Sequence, residues 1–467
     1  MENLQGAALL ASELEREILP ARITDYRSAD LDTAMASGQV VWVGVEQIGN
    51  RDGRVALYLN ESLPLLLTPA ELRSDSAVLS ERASQILEFL AQHGASFFAA
   101  IHAGIGGGFP GETRDALWQL VWSGQITNDT FHPLRDLLRS NETQRDKGAN
   151  FAGVPPGSPD FLRRLRSRAG GPAQGRWSLL HQHLGEPITV TQWSANVAQQ
   201  LLVRHGIVLR ETAIAENIPR GYPTIYPALK TMEDAGWVRG GMFAAGLGAA
   251  QFAMPAAVDL LRSLRSDQEK LEALFLAATD PANPYGATLP WPRRDGAIST
   301  DQNAAPITPD PVPHERSTDA NRDSALTADN PAPARVMSRT SGAGVILING
   351  NLTAFLRRRS QEIQVFLPES EPERTRLARE LAKKLAELAI QRQGRKTGLL
   401  VGTINGEPAR LHFLARFLEE SGFVSTAVGF QMRRIVPIAL AAASEADAQD
   451  ESNLDPDENE PDVPEFA

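Results

Sequence analysis

The stretch Leu229-Lys230-Thr231-Met232-Glu233-Asp234-Ala235-Gly236-Trp237-Val238 decides the fold of this chain. Leu229 and Met232 precede Gly236 by seven and four residues, a spacing that places both on one face of a helix. Glycine just after a helix can adopt the left-handed conformation that ends it. The residues after Gly236 are typical of an extended strand. The stretch therefore predicts a helix that stops at a glycine and opens directly into a strand.

The same pattern occurs three more times, ending at Gly38, at Gly124 and, in a looser form, at Gly422. In the first two copies apolar residues again precede the glycine by seven and four positions, in the pairs Leu31 with Ala34 and Leu117 with Leu120. A third helix that passes into a β hairpin is characteristic of a winged-helix module. Because the glycines are irregularly spaced, the copies indicate separate modules rather than a solenoid.

The most complete module is predicted at about 190–265. Its sequence indicates a first helix at 191–205, a short second helix at 208–217, and a third helix capped by Thr224 that runs to Ala235. A tight β hairpin at 238–243 is expected to form the wing. Modules of this kind place the third helix in a nucleic-acid groove and the wing on the backbone.

We therefore predict an α+β chain in which an array of winged-helix modules (helix-turn-helix plus β-wing) is followed by a small α+β domain. That domain is expected to begin with one strand at 345–356 and a second at 363–367. The predicted order is a partial winged-helix or β-hairpin module at 1–72, a winged-helix module at 76–140, a basic Gly/Pro linker at 141–175, a winged-helix module with a C-terminal loop at 176–290, a disordered linker at 291–340, an α+β domain at 341–434 and an acidic disordered tail at 435–467.

The formal net charge of -11 is concentrated outside the predicted modules. The segment from residue 435 to the end carries ten acidic residues and no lysine or arginine, and the segment 295–333 is also acidic. Both segments are poor in large apolar residues, which predicts disorder. The remaining body is mildly basic, a charge that permits nucleic-acid binding without requiring it.

The composition also excludes several classes of protein. The sequence contains no cysteine, which excludes disulfides and thiolate metal sites and favours a reducing, cytoplasmic compartment. The first 20 residues contain four glutamates and lack the pattern of a signal peptide. No apolar run approaches 18 residues, so a membrane is not an expected partner. His181 and His183 have no carboxylate at ligand spacing, and no metal is expected.

Several segments resemble the C-terminal region of the bacterial large helicase-related (Lhr) family. They include Thr279-Asp280-Pro281-Ala282-Asn283-Pro284-Tyr285-Gly286-Ala287 and the segments at 40–44, 117–124, 127–135, 175–179 and 246–253. The resemblance spans nearly the whole chain outside the two acidic segments. It implies a set of winged helices that supports oligomerisation in an ATP-dependent DNA helicase, similar in plan to winged-helix alkyl-DNA glycosylases.

The sequence departs from the full-length pattern of that family, because it contains no G-x-x-x-x-G-K-[ST] phosphate loop. We therefore expect no cofactor in this chain, with ATP and magnesium needed only by the missing motor. The expected partners are single-stranded or partly duplex DNA, helicase motor domains in cis or on a separate chain, and further copies of this chain in a homo-oligomer.

Candidate nucleic-acid contacts fall in three groups. A basic run in the Gly/Pro linker suits phosphates through counterion release, although it is also typical of a solubilising linker. The third helix and wing of the module at 190–265 supply cations for phosphates and tyrosines for base stacking, although the tyrosines also fit a core. The 76–140 module offers two more arginines. The three groups are, in that order, Arg163, Arg164, Arg166, Arg168 and Arg176; Arg220, Tyr222, Tyr226, Lys230 and Arg239; Arg114 and Arg135.

Asp280 is the one candidate catalytic residue, since a glycosylase needs a carboxylate beside the flipped base; its Asp-Pro context is equally typical of a loop. The function predicted is a nucleic-acid-binding and oligomerisation platform of an Lhr-type DNA helicase in DNA repair, non-catalytic by itself. Two alternatives stay open: a winged-helix DNA glycosylase that excises a damaged base, and a purely structural oligomerisation module.

Overall fold

The computed structural model describes residues 1–49, 52–72, 78–139, 174–248, 250–264, 270–292, 337–358, 360–392 and 399–432. Most of the predicted linkers at 141–175 and 291–340, and the whole predicted tail at 435–467, lie outside the described residues.

The first module contains a three-stranded antiparallel sheet in the order β1-β3-β2. Its elements are β1 (Leu9–Leu10), α1 (Ala11–Glu13) continued by a π-helical turn (Leu14–Ile18), α2 (Ser28–Ala36), β2 (Val40–Ile48), β3 (Asp52–Leu59) and α3 (Leu63–Leu66). Short 3-10 turns at Glu2–Leu4 and Ala70–Leu72 flank these elements.

The second module has a sheet in the order β4-β6-β5. Its elements are α4 (Glu81–His93), β4 (Ser96–Phe97), α5 (Phe98–Gly104), α6 (Pro110–Trp122), β5 (Ile126–Asn128), α7 (His132–Arg139) and β6 (Arg176–Leu179). The predicted boundary at 176 is wrong, because β6 forms backbone pairs with both β4 and β5 and so completes this sheet. The segment 129–175, with helix α7, is therefore an insertion within the wing of the second module.

The third module has a sheet in the order β7-β9-β8. Its elements are α8 (Val190–His205), β7 (Ile207–Val208), α9 (Arg210–Ala215), α10 (Tyr222–Asp234), β8 (Arg239–Gly241), β9 (Gln251–Ala253) and α11 (Pro255–Ser263). The third helix begins earlier than predicted, since Gly221 precedes its first residue and the Thr224 hydroxyl donates to the carbonyl of Pro219 instead of capping.

The C-terminal domain combines a six-stranded sheet, β10-β11-β12-β13-β15-β16, with a three-stranded sheet, β14-β18-β17. Its elements are β10 (Ala273–Ala277), β11 (Gly344–Ile348), β12 (Asn351–Leu356), β13 (Glu362–Val365), α12 (Glu373–Gln391), β14 (Leu400–Val401), β15 (Thr403–Ile404), β16 (Glu407–Pro408), α13 (Ala415–Glu420), β17 (Phe423–Thr426) and β18 (Gly429–Met432).

Two expectations for this domain need correction. The predicted boundary at 290 is wrong, because β10 pairs along its whole length with β11 and therefore belongs to the C-terminal sheet. The single strand expected across 345–356 is a hairpin, since Asn349 and Gly350 have φ of 47° and 79° and form the tight turn between β11 and β12. Asn-Gly suits such a turn because both residues tolerate positive φ.

The repeat predicted from the four glycines is confirmed. Gly38, Gly124, Gly236 and Gly422 have φ between 65° and 93°, and each lies between a helix and the second strand of a three-stranded sheet. In all four sheets the third strand lies between the first and the second. The predicted fold class, an α+β array of winged-helix modules before a small α+β domain, is confirmed, and the last three-stranded sheet extends the winged-helix strand order into that domain.

The first two modules share one hydrophobic core. Leu57 and Trp42 of the first sheet and Leu117 and Val121 of α6 belong to the same buried cluster. Strand β2 lies against α6 so closely that a Cβ on Gly44 would overlap the Val121 carbonyl group. A second core surrounds Trp193 of the third module and also contains Leu72 from the end of the first module. Helix α12 packs on the C-terminal sheets. No helix in the described part of the chain is long and apolar enough to cross a membrane.

Candidate nucleic-acid interface

Helix α10 is held by its inner face and leaves its outer face exposed. Ile225, Leu229 and Met232 are buried at helical spacing in the core of the third module. Beside this stripe Tyr226 is 40% exposed, and Lys230, one turn further along the helix, is also exposed. Burial of one stripe therefore orients the other towards solvent, as a groove-binding third helix requires.

Helix α8, which packs in the same core as α10, is capped at both ends. Thr189 and Gln192 form a capping box at the start of α8, in which the Thr189 Oγ1 accepts from Gln192 N at 3.2 Å and the Gln192 Oε1 accepts from Thr189 N at 2.9 Å. Gly206 ends the helix with φ 71°. An N-cap of this kind typically contributes about 1 kcal/mol, and it stabilises the helix that shares a core with α10.

The wing is longer than the hairpin predicted at 238–243. Strand β8 returns as β9 only after a loop of nine residues at 242–250. The buried side chain of Gln251 organises that loop, because its Oε1 accepts from the N–H groups of Phe243 and Ala244 at 2.7 and 2.9 Å. Its Nε2 donates to the carbonyls of Ala244 and Gly248 at 3.0 and 2.8 Å. The hydrogen bonds of one amide side chain thus shape the wing loop in place of the tight turn expected at 238–243.

Arg220 and Arg239 lie at opposite ends of α10, one before its first residue and one in the wing. Both are exposed, and within the described residues neither makes an ion pair. The 13 residues of α10 separate them by roughly 20 Å along the helix axis. Lys230 is also exposed, but its Nζ lies 2.6 Å from the Glu233 carboxylate, which raises the lysine pKa through that hydrogen bond. Arg220 and Arg239 are therefore exposed cations at the two ends of α10 with no ion pair among the described residues.

The two tyrosines of α10 have different environments. The Tyr222 hydroxyl donates to the carbonyl of Ala250 at 2.7 Å and so ties the helix to the wing. Burial, with the nearby Tyr226 and Glu211, raises the pKa of Tyr222 to about 12. Tyr226 packs edge-on against Phe252 but keeps part of its ring in solvent. The core interpretation therefore holds for Tyr222, and Tyr226 stays a candidate for stacking.

The second module presents no comparable helix face among its described residues. Six residues of α6 are buried, because this helix packs on strand β2 of the first module. Arg114, in the N-terminal half of α6, is exposed, and its Nε lies 3.4 Å from the Asp115 carboxylate. Arg176 is 52% exposed at its side chain, yet its Nε lies 2.8 Å from Asp129 and its backbone N–H donates to the same carboxylate. An acidic side chain already compensates part of the charge of Arg114 and of Arg176, so both are weaker candidates for phosphate binding.

The prediction that Arg135 contacts nucleic acid is wrong. Its guanidinium donates to Glu15 through Nε at 2.6 Å and Nη2 at 2.8 Å, and to Asp32 through Nη1 at 2.6 Å. The side chain is only 8% exposed. Burial opposes the charge, but these two carboxylates raise the pKa of Arg135 above its ordinary value. Arg135 therefore joins the second module to the first and cannot reach a phosphate.

Asp280 is also structural in this fold. Its carboxylate is fully buried and accepts from both terminal nitrogens of Arg22, at 2.6 and 2.7 Å, and from the backbone N–H of Ala282 at 2.7 Å. The bidentate pair connects the first module to the C-terminal domain across 258 residues of sequence. A carboxylate occupied in this way has no face left for water or a base, so the catalytic interpretation of Asp280 is not supported.

The four remaining candidate arginines cannot be placed relative to the third module. Arg163, Arg164, Arg166 and Arg168 lie outside the described residues. Among the residues that are described, no three His, Asp or Glu side chains come together to hold a metal ion. The sequence interpretation also missed Trp237, which is 70% exposed beside the wing. The available signal is its position directly after the glycine that ends α10, where the chain leaves the core.

The sequence comparisons with known proteins agree on one family. Models of the winged-helix domain of the large helicase-related protein match residues 1–60 and 188–273. The Lhr helicase/probable uracil glycosylase of Mycolicibacterium smegmatis is 36% identical over 427 residues, which cover 87% of this chain and 24% of that protein. The Lhr helicase/uracil glycosylase of Escherichia coli is 34% identical over 441 residues, which cover 92% and 26%.

This chain therefore spans about a quarter of the length of these curated relatives. Among solved structures, the Streptomyces sahachiroi DNA glycosylase AlkZ aligns with 80% of this chain and 83% of its own, at a TM-score of 0.35 and 12% identity, a likeness too low to carry a functional argument. The two matched winged-helix domains and the identity shared with both relatives show that this chain belongs to the large helicase-related family.

Proposed function

We propose that this chain is a nucleic-acid-binding platform of an Lhr-type DNA helicase, and that its third winged-helix module holds single-stranded or partly duplex DNA. The observation that carries the proposal is the exposed outer face of α10, with Arg220 and Arg239 at its two ends and no ion pair on either among the described residues. Phosphate contacts from two such cations position a strand without reading its sequence.

The other three helices at equivalent positions suit this role less well. Helix α2 carries Asp30 and Asp32 and no basic residue, and α6 is buried against β2. Helix α13 carries Arg416, but its guanidinium lies over the rings of Phe413 and Phe417, at 4.6 and 4.5 Å from their centroids. The third module is therefore where we expect the strand to bind.

The proposal is tested by the fluorescence anisotropy of a labelled oligothymidylate and of a partly duplex DNA, titrated at several salt concentrations. Arg220→Ala combined with Arg239→Ala should weaken binding of both, and should reduce the slope of log K against log salt by about 0.7 for each single-strand phosphate that the chain no longer neutralises. Arg262→Ala is the matched control, because Arg262 is also exposed, on α11, and already paired with Asp259 at 3.2 Å. Binding that changes neither with salt nor with the double substitution would refute the proposed phosphate contacts on α10.

We propose further that the chain works in DNA repair, in the cytoplasm, with a helicase motor in the same polypeptide or on a separate chain.

We also propose that the chain self-associates. Two exposed leucines at the end of α11 support this: Leu260 and Leu264 lie four residues apart and are 60% and 53% exposed. Sedimentation of the intact chain tests it. Leu260→Ser combined with Leu264→Ser should reduce the mass of the particle, and a monomeric parent chain would contradict self-association.

Uracil excision is a second candidate, favoured by the names of the two relatives. The test is incubation with single- and double-stranded DNA that contains one uracil, followed by alkaline cleavage of abasic sites. Strand scission would require a catalytic group other than the sealed carboxylate of Asp280. Unbroken DNA at a high concentration of this chain would remove this candidate.

A further inference from the structure

Trp237 is exposed where the rest of its residue type is not. The chain has seven tryptophans, all within the described residues, and the other six are buried or half-buried. Trp237 is 70% exposed, and Met242 in the wing loop is 73% exposed. The exposed indole therefore offers a large aromatic surface on which a flat ring can stack.

Backbone contacts fix the position of residue 237 at the end of α10. Gly236 ends α10 with φ 76°, and the Trp237 N–H donates to the carbonyl of Met232 at 2.9 Å. Val238 is only 5% exposed and anchors the chain in the core of the third module. Exposure thus alternates along Trp237, Val238 and Arg239, and the indole and the guanidinium both face solvent on either side of a buried valine.

The local charges favour an anion beside the indole. Arg239 makes no ion pair within the described residues. Helix α10 ends with two acidic side chains, Glu233 and Asp234. Glu233 accepts from Lys230 Nζ at 2.6 Å and from the Gly240 N–H at 3.1 Å, and Asp234 lies 3.9 Å from the same Lys230 Nζ, so both charges are partly compensated. These contacts lower the pKa of Glu233, through Lys230 first. An indole face beside an exposed guanidinium combines base stacking with phosphate attraction.

We propose that Trp237 and Arg239 form a stacking site for an unpaired base of single-stranded DNA, at the corner between α10 and the wing. The inference rests on the proposed function and specifies its substrate: a duplex hides its base faces within the stack, whereas an unpaired base offers one to the indole. The occupant is a strand that passes from Arg220 along α10 to this corner.

The test compares an oligothymidylate of about 12 nucleotides with an abasic oligomer that has the same number of phosphates. Trp237→Ala should weaken binding of the oligothymidylate by about 5-fold or more and leave the abasic oligomer unaffected, because stacking needs a base. Trp237→Phe should retain most of the affinity. Phe109→Ala is the matched control, since Phe109 is also 70% exposed but lies in the second module.

Salt separates the two parts of the site. Trp237→Ala should leave the slope of log K against log salt unchanged, whereas Arg239→Ala should reduce it by about 0.7. The stacking site would be overturned if Trp237→Ala weakened binding of the two oligomers equally, or if it bound the oligothymidylate with the affinity of the parent chain. A change in the sedimentation of Trp237→Ala with no change in affinity would also overturn it, and would assign Trp237 to a protein interface. A parent chain that binds neither oligomer would instead refute the proposed function itself.

Discussion

Glu216→Gln should destabilise the third module. The Glu216 carboxylate accepts from Arg204 and, at 2.8 Å, from Nε2 of His205. The Arg204 side chain is 5% exposed and also donates to the carbonyls of Asn3 and Gln5 in the first module. The substitution removes a negative charge and keeps nearly the same volume, so its effect reports the electrostatics.

Two lines of reasoning give the same magnitude. Although burial alone would raise it, the pKa of Glu216 is lowered from 4.5 to about 2, by the charge of Arg204 first and then by His205. A difference of this size between the unfolded and folded states corresponds to about 3 kcal/mol of stability at neutral pH. Removing one partner of a buried ion pair typically costs about 3–5 kcal/mol. We therefore expect Glu216→Gln to lower the free energy of unfolding by about 3 kcal/mol.

The pH dependence follows from the sign of the shift. Because the folded pKa lies below the unfolded one, the contribution of Glu216 is fully present above about pH 4.5 and is lost as the pH falls towards 2. Calorimetric unfolding of the parent chain, of Glu216→Gln and of the exposed control Glu186→Gln measures both effects. The reasoning is refuted if Glu216→Gln unfolds within about 1 kcal/mol of the parent, or if the two chains lose stability in parallel between pH 4.5 and 2.

Three further substitutions test the contacts between the modules and the wing. Arg135→Ala should lower the free energy of unfolding, measured by chemical denaturation, by about 3–5 kcal/mol, because it leaves two carboxylates without their cation. Arg114→Ala should stay within about 0.5 kcal/mol of the parent chain. Similar stabilities of the two variants would contradict this. Gly44→Ala should lower the free energy of unfolding by about 1–3 kcal/mol, since its Cβ would overlap the Val121 carbonyl. Thermal unfolding measures this, and should show no such destabilisation for the control Gly185→Ala, because no atom lies within 4 Å of a Cβ built at Gly185. Tyr222→Phe should lower stability by about 1 kcal/mol because it removes a hydrogen bond, and should leave DNA affinity unchanged; a parallel drop in affinity would return Tyr222 to the binding face.

The candidate site is only partly predictable from the sequence. Arg220, Tyr226 and Arg239 follow from their positions in and around a predicted third helix, and they are exposed in the structure. The sequence misleads at Arg135 and Asp280 because exposure and pairing depend on residues more than 100 positions away, Glu15 and Asp32 for one and Arg22 for the other. A local pattern contains no information about such partners.

The sequence by itself determined the local units: the helices with apolar residues seven and four positions before a glycine, and the strands that follow Gly38, Gly124 and Gly236. Helix periodicity and the left-handed conformation of glycine act within a few residues, so they can be recognised in one sequence. Only the tertiary structure decided that β6 completes the second sheet, that β10 joins the C-terminal domain, and that α6 is buried while α10 is not. Strand pairing and the packing of one module on another join residues far apart in the chain, and their free energy depends on shapes that exist only once the modules have folded.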